Sequence, residues 1–72
     1  MRYTRDAGPG DTGVRVSLRR RLAEGGLGDL LGVVERWVDG EVRVRDRHGV
    51  VHVVDESDVV AAKRVPPAPE RR

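Results

Sequence analysis

The chain has 72 residues, room for one domain with a thin core, because a fold this small buries only about 60% of its unfolded surface. Lys and Arg total 14 against 12 Asp and Glu, a net charge of +2 with both signs interspersed, which suits a soluble protein and does not demand a polyanionic partner. Cysteine is absent, which excludes disulfides and thiolate metal sites, and no apolar run approaches the ~20 residues of a membrane span.

Residues 1–12, "MRYTRDAGPGDT", are polar and glycine-rich, lack the apolar stretch of a signal peptide, and read as a flexible arm, disordered or loosely attached. The chain is accordingly expected to be cytoplasmic. "GVRVSLR", residues 13–19, alternates cleanly. Val14, Val16 and Leu18 share one face and Arg15, Ser17 and Arg19 the other, the pattern of a half-buried strand. "RRLAEGGLGD", residues 20–29, reads as a long loop, folded back through its glycines. "LLGVVERWV", residues 30–38, is apolar almost throughout up to Glu35 and does not alternate. It is expected to be a long strand that bends near Gly32 and changes the face it buries, with a short helix as the competing reading.

Asp39-Gly40 is the strongest local signal, a two-residue type I′ turn joining antiparallel strands. "EVRVRD" then places Val42 and Val44 inward and Arg43 and Arg45 outward. "RHG", residues 47–49, makes a second tight turn with Gly49 left-handed, and "VVHVV", residues 50–54, is the next strand. "DESD", residues 55–58, fits a single 3₁₀ turn, and "VVAAKRV", residues 59–65, a short last strand. "PPAPERR", residues 66–72, is an extended Pro-rich tail or linker. Valine, stiff at χ1 and suited to pleated surfaces, carries most of the apolar load. The expected fold is all-β: a small five-stranded SH3-like barrel over residues 13–65, between the arm and the tail.

Arg43, Arg45 and Arg47 project from one strand face, and Arg19, Arg20 and Arg21 lie just before the first loop. If the two groups met they could contact phosphates. Glu41 and Asp46 interrupt the row, however, and base stacking needs more aromatic rings than Tyr3 and Trp37 provide. The same arginines read first as the solvated face of a small sheet. Trp37 is either a core residue or a ring offered to a partner. Grooves for polyproline and cages for methyl-lysine need several rings, and one tryptophan builds neither. These seven residues form the candidate partner-binding surface.

His48 and His52 straddle a turn, and spacing offers no third ligand, so no metal is expected. His48 reads as a turn residue, and His52 as either an outer-face group or a satisfied core imidazole. Ser17, Ser57, Thr4 and Thr12 lie in no nucleophile-elbow context. "RDAGPG", residues 5–10, matches the arginine-x-x-glycine-x-glycine pattern of coenzyme A loops, but no strand precedes it and no helix follows it, so the match reads as coincidence. No catalytic residue and no cofactor is expected.

Residues 13–67 resemble the small SH3-like domain at the N-terminus of a group of actinobacterial GNAT-superfamily N-acetyltransferases. The resemblance rests on "GVRVSLR", "GGLGDLLGVV", "VRVRDRHGVV" and above all "DVVAAKRVPP". In that family a Pro-rich linker leads to the acetyltransferase domain, and "VPPAPERR" is similar to its start. The resemblance implies a non-catalytic accessory or interaction domain whose partner is a protein, either a GNAT catalytic domain in cis or a protein substrate. The family's catalytic and coenzyme A residues fall outside the matching region, so none transfers to this chain. The alternative is a KOW- or Sm-like barrel that binds nucleic acid through the arginines; catalysis by the chain itself is the weakest reading. Partner identity and oligomeric state are open at this level.

Overall fold

The structure, a computed structural model, describes residues 4–5 and 7–66. The elements are β1 (Thr4–Arg5), β2 (Arg15–Arg21), β3 (Leu27–Val38), β4 (Glu41–Arg45), β5 (Val51–Asp55), a 3₁₀ turn (Glu56–Asp58) and β6 (Val59–Arg64). Five antiparallel strands form one sheet, and the short β1 adds to β6 in parallel, giving the order β1-β6-β2-β3-β4-β5. The all-β plan expected from the valine alternation is thus observed. The barrel is not: the ladders run open from β1 to β5, and among the described residues no ladder joins these two edges. The sheet instead wraps one core. Val16 and Leu18 of β2, Val34 and Trp37 of β3, Val42 and Val44 of β4, Val54 of β5, and Val59 and Ala62 of β6 form a single buried cluster with Leu30 and Ala7. Strands β2 to β6 thus share one core although the sheet stays open at its edges.

The turns follow residue chemistry. Asp39 and Gly40 both have positive φ, 54° and 78°, as a type I′ turn requires. Gly49 sits at φ 82° in the β4–β5 turn. Asp55 caps the 3₁₀ turn by accepting hydrogen bonds from the Ser57 backbone N–H at 2.9 Å and the Ser57 hydroxyl at 2.8 Å. Those two hydrogen bonds hold its carboxyl below the usual range.

Three expectations change. The loop expected at residues 20–29 shrinks to the stretch between Arg21 and Leu27, because Arg20 pairs with Gly28 and Arg21 with Leu27. Gly25 and Gly26 at φ 103° and 81° reverse the chain in little space, and backbone pairing does not depend on the side chains that break the alternation. Residues 27–38 form one strand with no helix, but the change of face occurs at Glu35 rather than Gly32. Leu30, Gly32 and Val34 face inward, Glu35 and Arg36 are both exposed, and Trp37 faces inward again. The β3–β4 register shifts between Val34 and Arg36, a one-residue bulge that absorbs the phase change. Gly32 has another use. A Cβ there would lie 2.2 Å from the Arg45 carbonyl oxygen, so the bare backbone lets β4 cross closely over β3.

The third change concerns the arm. Thr4–Arg5 pairs with β6, the Ala7 N–H donates to the Ala62 carbonyl at 3.2 Å, and Ala7 is buried in the core. Asp11 then organises the next stretch, accepting from the Gly8 N–H at 2.8 Å and from Arg64 at 3.3 Å. A polar, glycine-rich sequence is built onto the sheet because one alanine fits the core and one aspartate satisfies the turn. Beyond Pro66, the Pro-rich tail lies outside the described residues.

Candidate functional site

The register lays out the outer sheet face row by row. One row runs Arg15, Val33, Arg45, Val51 across β2 to β5. The row above it holds Ser17 and Leu31, with Lys63 on β6, and the row below holds Arg36, Arg43 and Val53. Leu31, Val33, Val51 and Val53 are all exposed, Val53 most of all at 59%. Two apolar stripes, on β3 and β5, therefore flank a β4 stripe of arginine stems, which themselves cover apolar surface.

The arginine heads on this face are mostly engaged. Arg45 donates to the Glu35 carboxylate across β3–β4, and Arg43 to Glu41 on its own strand. Arg19 donates to Asp29 at 2.9 Å. Their hydrogen bonds, with charge attraction in the same direction, hold the carboxyls of Glu35 and Asp29 below the usual range and raise the guanidinium groups of Arg45 and Arg19. Pairs this exposed add little stability. They do lower the positive charge free to meet a phosphate.

At one end of the face lies an open groove of about 920 Å³, lined among others by Val14, Leu31, Val33, Arg45, Arg47 and His52. Its ordered polar centre is Asp46, which faces the inner side of β4, in phase with Val42 and Val44. Its Oδ1 accepts from the backbone N–H of His48 at 2.8 Å and of Val50 at 3.0 Å. Its Oδ2 lies 2.8 Å from His52 Nε2. A carboxylate can only accept, so Nε2 carries the proton of that bond. The His52 hydrogen bond, followed by that from the Val50 N–H, pulls the Asp46 carboxyl down to about 2. His52 is thus a satisfied imidazole, but half-buried and not in the core. An aspartate–histidine pair can orient a base, but no serine, threonine or cysteine among the described residues lines the groove. The downward shift belongs to a carboxylate that closes a turn.

The seven candidate partner residues separate. Trp37 is 3% exposed, opposite Val42 in the core, so its ring is not offered to a partner. The core needs its volume in a chain without phenylalanine. Arg20 is half-buried, as strand alternation dictates, on the side opposite Arg19 and Arg21. Arg21 donates to the Ser57 carbonyl at 3.5 Å. Arg45 and Arg47 line the groove, whereas Arg19 reaches it only through its partner Asp29, which also lines it, two rows from Arg45 and beyond the row of Leu31. The two arginine groups do not form one cluster.

Several residues of the face escaped sequence reasoning. Arg15 was legible only as the wet side of its strand; it lies beside Val33 and donates to the Pro66 carbonyl at 2.9 Å. Leu31 and Val33 sit in an apolar run that gives no hint of which side is wet. Asp46 before the Arg47–Gly49 turn carried a signal, because aspartate closes turns through its own carboxylate.

Among the described residues, no group of three or more His, Cys, Asp or Glu side chains could hold a metal ion, and no helix is long and apolar enough to cross a membrane. Compared with protein-family models, curated proteins and solved structures, the chain finds no match in any of the three.

Proposed function

We propose that this chain is a non-catalytic interaction module that docks a protein through the outer face of β3, β4 and β5. The observation that carries the reading is the pair of exposed apolar stripes, Leu31/Val33 and Val51/Val53, separated by arginine stems whose heads are tied to carboxylates. Arginine and apolar side chains interleaved in this way are the composition of protein interfaces, which are depleted in free charge at their centre. A phosphate-binding surface needs the reverse, free cations with stacking rings between them. With the resemblance of residues 13–67 to the N-terminal module of GNAT acetyltransferases, the partner is an acetyltransferase catalytic domain, met in cis or in trans. The module would position that domain or hold its protein substrate.

The test is an NMR titration of the isotope-labelled chain with an acetyltransferase catalytic domain of that group. Shift changes confined to Leu31, Val33, Arg45, Val51 and their neighbours are expected. No change, or changes scattered over the core, refutes the reading. A parallel titration with short DNA and RNA at about 50 mM salt, where phosphate contacts are strongest, assigns the face to nucleic acid instead if binding appears and fades as salt rises.

A further inference from the structure

We infer that two copies of this chain pair antiparallel, edge to edge, through β5, about a two-fold axis at His52. β5 is an edge strand of the sheet. Edges are ordinarily blunted by lysine, proline or a bulge. Val51–Asp55 contains neither lysine nor proline, and Val50, Val51 and Val53 are all exposed.

The hydrogen-bond phase shows which backbone groups the edge presents. The Asp46 N–H donates to the Val50 carbonyl at 2.9 Å, and the Glu56 N–H to the Gly40 carbonyl at 2.8 Å. These two bonds bracket the β4–β5 ladder. Bonded pairs alternate between them, at Val44 with His52 and Val42 with Val54. The N–H and carbonyl groups of Val51, Val53 and Asp55 therefore point away from β4, toward the edge.

A second β5 laid antiparallel meets this row in kind. With His52 opposite its own copy, Val51 bonds to the partner's Val53, and Val53 to the partner's Val51. This register sets both exposed valines against valines. A shift by two residues either way sets a valine against Asp55 or Gly49. The apolar row and the backbone phase thus select one arrangement, which leaves Leu31 and Val33 free and shares only Val51 and Val53 with the docking face.

Strand-to-strand contact buries well under the roughly 1,600 Å² of a standard interface, so association is weak. The test is sedimentation equilibrium of the full chain from about 10 µM to about 1 mM, the concentrations at which so small an interface assembles. The mean mass is expected to rise from the single-chain 8.0 kDa toward double that value. Val53→Lys, at an exposed position, abolishes the rise. Leu31→Lys, also exposed but on β3 away from this edge, leaves the rise unchanged. A single-chain mass at every concentration overturns the inference. So does a dimer indifferent to Val53→Lys, or one that Leu31→Lys abolishes as well. Circular dichroism of each variant confirms that the fold is kept.

Discussion

Gly32→Ala adds one methyl group and is expected to be among the most damaging small substitutions in the chain. An ideal Cβ at residue 32 lies 2.2 Å from the Arg45 carbonyl oxygen, and 2.8 Å from both the Arg45 carbonyl carbon and Val44 Cγ1. The first two atoms are backbone of β4 and cannot rotate aside, so the strands must part. Overpacking of this kind costs about 1–3 kcal/mol and occasionally more. Against it stands the entropy that alanine removes from the unfolded chain, about 0.4–1 kcal/mol. The clash wins, and the net loss is about 2 kcal/mol. In a domain of this size each kcal/mol moves the melting temperature by about 4–8 °C, so a fall of about 10–15 °C is expected. Thermal and urea unfolding followed by circular dichroism measure it. Gly10→Ala, with nothing within 4 Å of its Cβ, is the control and stays near wild type. Gly28→Ala meets only the flexible end of Leu22, at 3.0 Å, and falls between the two. If Gly32→Ala is as stable as Gly10→Ala, β4 does not cross closely over β3 at this point and the use assigned to Gly32 fails.

Gly40→Ala and Gly49→Ala test backbone sign rather than space: nothing lies within 4 Å of either Cβ, yet both positions have positive φ, so each loses about 1 kcal/mol in urea unfolding. Trp37 in the core predicts blue-shifted emission and protection from iodide in the folded chain; quenching as strong as that of free tryptophan would place the ring at the surface. Trp37→Ala removes a large buried ring and costs about 3–5 kcal/mol, a large share of what a small domain has. For Asp46, the folded carboxyl titrates at about 2, below its unfolded range near 4, so the unfolded chain takes the proton first. Its contribution is complete above the unfolded range and is lost as pH falls through the folded value. Asp46→Asn should therefore lower the urea midpoint at pH 7 and flatten its decline toward pH 2; an unchanged profile contradicts the assigned role.

Much of this architecture is legible in the residues, and what is not has a physical cause. Asp39-Gly40 and Gly49 announce their turns because few other residues accept positive φ. Val42 and Val44, or Val16 and Leu18, announce their face because a strand alternates strictly. Leu30 to Val34 do not, because neighbouring apolar residues sit on opposite faces and only the partner strands decide which side is wet. The bulge at Glu35 carries no residue signature of its own, whereas Gly32, which carries one, uses it for a close crossing. Ala7 belongs to the core through a long-range fit that polar, glycine-rich neighbours conceal. Barrel closure depends on whether β5 reaches β1, and no local pattern encodes that distance. The candidate surface was half legible: alternation placed Arg43 and Arg45 outward, but their carboxylate partners and the valine stripes beside them emerge only from register.

The central claim is that the face of Leu31, Val33, Arg45 and Val51 docks a protein. Isothermal titration calorimetry of wild type and Leu31→Glu against an acetyltransferase catalytic domain tests it most directly, since Leu31 is exposed and its replacement should leave the fold intact. The account predicts at least about tenfold weaker binding by the variant at an unchanged melting temperature, because a carboxylate at the centre of an interface is buried unpaired. Equal affinity of the two chains, or no binding by either, contradicts it.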